Sequence, residues 1–252
     1  MTSAPDPLLF TSFDGTRLAW RELGEGRPVI LLHGYFSDAV TNWLRYGHAE
    51  AIAARGFRVI MPDLRAHGAS DKPHDPAAYA PDTLTRDGHA LIAHLELTDY
   101  DLGGYSLGAR TASRMMVTGA SPGRVVFAGM GLEGLIHTGR RVAHFRNILT
   151  HLGKHERGSP EWLAEAFLKT TKGDPKALLG VLDTFVDTPI EAVRGFMQPT
   201  LVVAGAEDRD NGSAQDLAAA LPDGRYAEIP GGHMSSVTKP ELGRQIAAFL
   251  GA

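Results

Sequence analysis

Short apolar runs recur along most of the chain. They lie at residues 28–32, 57–61, 100–104, 125–130 and 200–204. A continuously apolar run of this length is typical of a strand that is covered by helices on both faces. Segments of helical length and period separate most of these runs, and this alternation predicts a parallel β-sheet with helices on both faces.

Five segments have the length and periodicity of helices. Two of them begin near a polar residue, Asp82 or Ser213, whose side-chain oxygen is suited to accept a hydrogen bond from a free amide of the first helical turn. The predicted helices lie at residues 40–55, 81–95, 107–117, 213–221 and 239–250.

Three further strands are predicted near the two ends of the pattern. Residues 8–13 and 16–22 flank Asp14-Gly15, a dipeptide typical of the two-residue turn of a β-hairpin, so the chain is expected to open with antiparallel strands. Residues 225–229 are the last candidate strand. Together with the five apolar runs, these strands predict an α/β fold with a mostly parallel eight-stranded sheet.

Residues 131–198 interrupt the alternation, because they contain no convincing strand and lie between two strand candidates. We interpret them as a helical cap, or lid, inserted into one core domain that consists of residues 1–130 and 199–252. The full length of 252 residues is within the range of a single α/β domain.

The strongest chemical signal is Gly104-Tyr105-Ser106-Leu107-Gly108, which lies between a predicted strand and a predicted helix. A G-x-S-x-G pattern in this position is typical of a nucleophile elbow, a tight turn that exposes the serine hydroxyl while glycines let the neighbouring backbone pass closely. Ser106 is therefore the candidate nucleophile. The alternative is a turn serine that only caps the following helix.

A serine hydroxyl is a weak nucleophile that needs a base to take its proton and a third group to orient that base. His233 follows the last predicted strand and Asp208 follows the strand at residues 200–204, so both are expected at the carboxyl edge of the sheet. We predict His233 as the base and Asp208 as the orienting acid. The alternatives for the acid are Asp210, Glu207 and Glu133.

The negative charge that develops during attack on a carbonyl needs two N–H donors, which together form an oxyanion hole. One candidate is the amide of Leu107, directly after the serine. The other is the amide of Tyr35, in the loop that begins with His33-Gly34, and Phe36 is the neighbouring alternative. In the simpler interpretation His33-Gly34 is a plain loop bend.

Composition and charge exclude several classes of function. The chain has no Cys, so disulfides, thiol catalysis and thiolate metal sites are impossible. Its net charge is −4, with Lys and Arg scattered along the chain, which argues against nucleic-acid and anionic-membrane partners. No run approaches ~18 apolar residues, and residues 1–7 lack the apolar core of a signal peptide. We expect a cytoplasmic monomer or homodimer without metal or cofactor.

The predicted cap contains a basic stretch. Within residues 135–158, five basic side chains accompany a single acid, Glu156. This excess favours anionic substrates, although a solvated helix face explains it equally well. The basic residues are Arg140, Arg141, Arg146, Lys154 and Arg157.

Four signatures make the chain resemble an α/β-hydrolase of the esterase, lactonase and haloperoxidase-like group over nearly its whole length. They are His33-Gly34-Tyr35, the loop at residues 63–70, the turn at residues 104–108, and the late positions of Asp208 and His233. The sequence of the loop, Asp-Leu-Arg-Ala-His-Gly-Ala-Ser, is similar to the D-x-R-G-x-G-x-S loop of the family. It differs at Ala66, where the family usually has glycine.

The resemblance implies that the chain hydrolyses a small-molecule carboxylic ester or lactone through an acyl-enzyme intermediate on Ser106. Relatives that hydrolyse epoxides or haloalkanes have aspartate at this position, which argues against both reactions. Residues 104–110 also resemble the elbow of a menaquinone-pathway lyase of this fold, so a lyase or carbon–carbon hydrolase that uses the triad for proton abstraction is an alternative. Arg110 would then bind a carboxylate, although an arginine at this position is more often solvated or salt-bridged. A non-catalytic ligand-binding protein of the same fold is the other alternative.

Overall fold

One eight-stranded sheet organises residues 4–252, the part of the chain that this computed structural model describes. The strands are β1 (Leu8–Thr11), β2 (Arg17–Leu23), β3 (Arg27–Leu32), β4 (Phe57–Pro62), β5 (Asp101–Tyr105), β6 (Val125–Ala128), β7 (Thr200–Gly205) and β8 (Gly224–Ile229). Their order across the sheet is β1-β2-β4-β3-β5-β6-β7-β8. The β1–β2 and β2–β4 pairs are antiparallel, and all other pairs are parallel. The predicted mostly parallel sheet is confirmed.

Helices cover both faces of the sheet, as predicted. The helices are α1 (His48–Ala53), α2 (Thr83–His94), α3 (Leu107–Val117), α4 (Leu132–Ile136), α5 (Gly139–Thr150), α6 (Pro160–Thr170), α7 (Pro175–Asp183), α8 (Ile190–Arg194), α9 (Ala214–Ala220), α10 (His233–Ser236) and α11 (Pro240–Leu250). Along β3, Val29 and Leu31 pack with side chains of α1 and α11, whereas Ile30 and Leu32 pack with side chains of α2 and α3. The continuous apolar run therefore supplies two cores, one on each face.

Two expectations about the first half of the chain are wrong. The single helix expected at residues 40–55 is a π-helical turn, Val40–Leu44, followed by α1. Gly47 lies between them with φ 77°, a left-handed conformation that a regular helix cannot pass through. The β1–β2 connection spans residues 12–16, and so is longer than a two-residue turn.

One of the two predicted helix caps is present. The Ser213 side chain accepts a hydrogen bond from the amide of Asp216 at 3.0 Å and caps α9. Asp82 does not cap α2, because its backbone has φ 60° and its carboxylate is turned to another partner. Its two oxygens accept hydrogen bonds from Arg114 of α3 at 2.9 and 2.6 Å, so Asp82 ties α2 to α3.

Residues 131–198, which we call the insertion, lie within the described residues between β6 and β7. They contain α4 to α8 and no strand. Their role as a separate cap stays a prediction. Among residues 4–252, no helix combines the length and the apolar character that crossing a membrane requires.

Candidate active site

Ser106 occupies the turn between β5 and α3. Its backbone has φ 53° and ψ −107°, a combination that residues with a side chain rarely adopt. Two glycines make this turn possible. A Cβ on Gly104 would lie 2.2 Å from the carbonyl carbon of Gly108, and a Cβ on Gly108 would lie 2.1 Å from the carbonyl oxygen of Leu32. The close approach of backbone to backbone therefore fixes Ser106 at the carboxyl edge of the sheet.

Gly108→Ala is expected to lower the free energy of unfolding by about 2 kcal/mol, because the new methyl group meets backbone that has no room to move. Urea unfolding measures this loss. The matched control is Gly139→Ala in the first turn of α5, where a Cβ meets nothing within 4 Å. The control is expected to keep or slightly raise stability. Equal stability of the two variants would contradict the crowding argument.

Three side chains from distant parts of the chain converge at this edge. Ser106 Oγ lies 3.0 Å from His233 Nε2, and His233 Nδ1 lies 2.8 Å from Asp208 Oδ2. When the carboxylate accepts a hydrogen bond from Nδ1–H, Nε2 carries no proton and can accept the serine proton. Ser106 and Asp208 are each 8% exposed. The candidate nucleophile, base and orienting acid thus form a hydrogen-bonded chain in which His233 contacts both of the others.

Of the four acids considered, Asp208 is the one hydrogen-bonded to His233 among the described residues. Asp210 follows in the same loop, and its amide donates to Asp208 Oδ1 at 3.1 Å. Glu133 lies elsewhere, since its carboxylate accepts a hydrogen bond from the amide of Ser213 at 3.1 Å. The hydrogen bond to His233 therefore favours Asp208 over the alternative acids.

The surroundings of Asp208 keep it ionised. Burial raises its pKa, but the hydrogen bond and charge of His233, the amide of Asp210 and the charge of Arg141 together hold the pKa of Asp208 below its usual value. An acid with a lowered pKa stabilises the fold above its unfolded pKa, and this contribution is lost as the pH falls through the folded value.

Tyr105 positions His233, a role that the sequence did not reveal. Its hydroxyl donates to the carbonyl oxygen of His233 at 2.5 Å and lies 2.9 Å from Ser236 Oγ. His233 is the first residue of the short helix α10. The G-x-S-x-G pattern places no requirement on the residue before the serine, so nothing in the sequence pointed to Tyr105.

The backbone amides of Tyr35 and Leu107 have no acceptor among residues 4–252. Both follow a strand end at the carboxyl edge, Tyr35 after β3 and Leu107 after β5. The amide of Phe36 also has no acceptor in that part of the chain, and Phe36 has φ 61°. Both Tyr35 and Phe36 therefore remain candidates to donate beside Leu107.

His33-Gly34 is more than a loop bend, because buried hydrogen bonds fix both residues. His33 Nδ1 lies 2.8 Å from the carbonyl oxygen of Gly34, and His33 Nε2 accepts from the amide of Leu64 at 2.9 Å. The amide of Gly34 donates to Asn42 Oδ1 at 3.0 Å. The loop that carries Tyr35 is therefore held on two sides.

The insertion also contacts this loop, at three points. The Tyr35 hydroxyl donates to the carbonyl oxygen of Leu178 at 2.6 Å, and Thr171 Oγ1 donates to the carbonyl oxygen of Phe36 at 2.7 Å. The Phe145 ring of α5 packs edge-on against the rings of Tyr35 and Phe36, at centroid distances of 4.6 and 5.3 Å. Residues remote in the sequence thus restrain the position of the candidate oxyanion loop.

The loop at residues 63–70 has a structural role. Asp63 Oδ1 accepts from the amide of Ala39 at 2.8 Å, and buried Arg65 forms ion pairs with Asp14 and Asp87. Ala66 has φ 70°, a left-handed conformation that explains why glycine is usual at this position. The departure at Ala66 leaves the triad geometry intact.

Ser106 opens into a cavity of about 350 Å³. The insertion forms much of its wall, through residues of α5 and α6, and the wall is mainly apolar. Phe167 of α6 lines the cavity, whereas Leu178 of α7 is buried in the core. The charged residues of the lining are Arg141, Glu207 and Asp210.

Arg110 is buried and forms no salt bridge with any of residues 4–252, so the expectation of a solvated or salt-bridged side chain is wrong. It is 5% exposed, and its Nε and Nη2 donate to the carbonyl oxygen of Gly134 at 3.0 and 2.9 Å. Its guanidinium also lies 4.7 Å from the centre of the Phe185 ring. Burial and the nearby charge of Arg141 lower the pKa of Arg110 to about 9. Arg110 does not line the cavity at Ser106.

No metal cluster accompanies the triad in the described chain. Among residues 4–252, no three His, Asp or Glu side chains are placed to hold one metal ion. The histidine and carboxylate of the site, His233 and Asp208, bind each other.

The sequence of this chain also matches a known protein family. The sequence model of the alpha/beta hydrolase family matches residues 29–242. This chain therefore belongs to the alpha/beta hydrolase family, which confirms the resemblance based on its motifs.

Related sequences have varied names. The AB hydrolase superfamily protein YisY of Bacillus subtilis is 37% identical over 95 residues, which are 38% of this chain and 34% of that protein. The epoxide hydrolase of Caballeronia sordidicola is 36% identical over 99 residues, 39% of this chain and 29% of that enzyme. The match thus spans about a third of each of these two relatives. The dihydrolipoyllysine-residue acetyltransferase component of the acetoin cleaving system of Pseudomonas putida is 30% identical over 259 residues, 94% of this chain and 67% of that protein.

Solved structures share the whole fold. The bromoperoxidase from Bacillus anthracis has a TM-score of 0.75 at 24% identity and covers 98% of this chain and 100% of its own. An esterase from Exiguobacterium antarcticum has a TM-score of 0.75 at 19% identity, with the same coverage. The enol-lactonase from Burkholderia xenovorans has a TM-score of 0.74 at 21% identity and covers 97% of this chain and 100% of its own. At these identities the likeness establishes the fold.

Proposed function

We propose that this protein is a serine hydrolase that cleaves a carboxylic ester or lactone through an acyl-enzyme intermediate on Ser106. The observation that carries the proposal is the hydrogen-bonded chain from Ser106 through His233 to Asp208, which lies at a cavity beside backbone amides that have no acceptor among residues 4–252. The esterase and the enol-lactonase among the structural neighbours are consistent with this chemistry.

In the first half of the reaction, His233 Nε2 takes the proton of Ser106 as Oγ attacks the carbonyl carbon of the substrate. The carbonyl oxygen becomes an oxyanion, which accepts hydrogen bonds from the amides of Tyr35 and Leu107. Asp208 stabilises the imidazolium. His233 then gives its proton to the leaving alcohol oxygen, and the acyl group stays on Ser106.

In the second half, a water molecule attacks the acyl-enzyme. His233 takes a proton from this water and returns it to Ser106 Oγ, so the enzyme is regenerated and the acid is released. The insertion serves as a cap, since α5 and α6 supply much of the cavity wall that contacts the acyl group. No step needs a metal or cofactor.

The alternatives have less support. The lyase interpretation used Arg110 to bind a carboxylate, but Arg110 is buried against Gly134 and does not line the cavity. One related sequence is an epoxide hydrolase. Epoxide opening is nevertheless disfavoured, because the resemblance implies that epoxide-opening relatives have an aspartate at the position where this chain has Ser106. A non-catalytic binding protein has no need of a triad with these distances.

A fluorophosphonate probe tests the proposal directly. The probe is expected to attach to one residue of the native protein, Ser106, as identified by mass mapping of the labelled peptide, because the activated Oγ attacks phosphorus as it attacks a carbonyl. Heat-denatured protein is the control and should take no label. Labelling of the folded protein at another residue, or none at all, would contradict the assignment of Ser106.

A further inference from the structure

Arg141 places a guanidinium in the wall of the cavity that holds Ser106. It belongs to α5, and its side chain is 12% exposed. Of the five basic residues in the stretch at 135–158, it is the one that lines the cavity. Arg140, the preceding residue, is exposed and points elsewhere. The basic stretch thus delivers a single cation to the candidate active site.

The guanidinium of Arg141 has few hydrogen-bond acceptors or negative charges around it among the described residues. Among the described residues it forms one ion pair, with Asp210 Oδ2 at 3.3 Å from Arg141 Nη1, and its guanidinium carbon lies 4.6 Å from the centre of the Phe145 ring. A guanidinium presents five N–H donors in a planar fork, so most of its donors have no strong protein partner. Burial, which outweighs the charges of Asp210 and Asp208, lowers the pKa of Arg141. A further anion beside the guanidinium would stabilise the charged form of Arg141.

Asp210 shows that a carboxylate oxygen can reach Arg141 from the cavity side. The Asp210 side chain is 43% exposed. An ion pair with a solvent-exposed carboxylate stabilises the fold only weakly. An incoming carboxylate can therefore share the fork with Asp210 or displace it into water. Glu207 also lines the cavity, but it is exposed and its charge is screened.

The space between this cation and the triad suits a hydrocarbon segment. The aromatic rings of Tyr35, Phe145 and Phe167 line the same cavity, together with Leu163. A substrate that joins an ester at one end to a carboxylate at the other would place its apolar middle against these residues.

We propose that Arg141 binds a free carboxylate on the acyl part of the substrate, so that the preferred substrates are half-esters of dicarboxylic acids or lactones that carry a free carboxylate. The proposal rests on the proposed serine hydrolase activity and adds the substrate class. Arginine suits this role because its planar fork binds both oxygens of a carboxylate.

The test compares two series of methyl esters. One series consists of monomethyl esters of linear dicarboxylic acids of increasing length, and the other carries a primary amide in place of the free carboxylate. Acid release is followed in a pH-stat. At the best chain length, the wild type is expected to prefer the acid over the amide by about tenfold or more in kcat/KM. Equal rates, or preference for the amide, would overturn the proposal.

Variants separate Arg141 from its surroundings. Arg141→Met keeps the apolar stem of the side chain and is expected to abolish the preference, while hydrolysis of the amide series continues. Asp210→Asn is expected to increase the preference, because it removes the competing carboxylate. Arg140→Met is the matched control and should retain the wild-type preference. If Arg141→Met also retains it, Arg141 does not bind the carboxylate.

Binding provides a readout that does not depend on turnover. In calorimetric titrations of Ser106→Ala with a linear dicarboxylate, the additional Arg141→Met change is expected to weaken affinity about tenfold. Unchanged affinity, or no binding by Ser106→Ala, would overturn the carboxylate site. If the wild type hydrolysed no ester while Ser106→Ala still bound the dicarboxylate, the result would instead count against the proposed function.

Discussion

Replacement of Ser106 by alanine is expected to lower kcat for hydrolysis of a short-chain aryl ester by ~10⁶-fold. The reason is that His233 and Asp208 act through the serine oxygen, which lies 3.0 Å from His233 Nε2. Without this oxygen no acyl-enzyme forms, and the remaining rate comes from substrate binding and the oxyanion amides. Release of the aryl alcohol, followed spectrophotometrically, measures the loss.

The matched control is Ser121→Ala, which removes a hydroxyl from an exposed serine that follows α3 and does not line the cavity. It should keep the wild-type kcat. Both variants should unfold at the same urea concentration as the wild type within error. If Ser106→Ala kept a rate within tenfold of the wild type, another residue would be the nucleophile.

Asp208→Asn is expected to lower kcat by ~10⁴-fold, with a smaller change in KM. A carboxamide can turn its NH₂ group toward Nδ1 of His233, which favours the tautomer with a proton on Nε2. In this tautomer the imidazole cannot accept the Ser106 proton. The pre-steady-state acylation rate is the most direct measurement, because it isolates the step that needs the base.

Glu133→Gln is the control for the acid assignment. Glu133 was an alternative acid, and in the structure it accepts a hydrogen bond from the amide of Ser213. The variant should keep kcat within about twofold of the wild type. A large loss of kcat in Glu133→Gln, together with an active Asp208→Asn, would assign the role of the acid to Glu133.

Local patterns in the sequence predicted the parts of the fold that depend on near neighbours. The apolar runs identified the strands, because a strand buried on both faces needs apolar residues at consecutive positions. The pattern around Ser106 identified the turn between β5 and α3, since the close approach of Gly108 to Leu32 permits no side chain there.

The same reasoning failed where a distant partner decides the local structure. Asp82 has the residue type and position of an N-cap, yet Arg114 of the neighbouring helix binds its carboxylate. Arg110 resembled a solvated helix residue, but the chain at Gly134 folds over it. In both cases the partner is remote in sequence, so no window around the residue contains the information.

By itself, the sequence determined the α/β class, the order of the strands along the chain and the residue types available for chemistry at the carboxyl edge of the sheet. Only the tertiary structure decided that Asp208, among four acids, meets His233, and that Arg141, among five basic residues, faces the cavity. The physical reason is that strand and turn propensities act over a few residues, whereas a site forms from side chains whose positions depend on the packing of the whole chain.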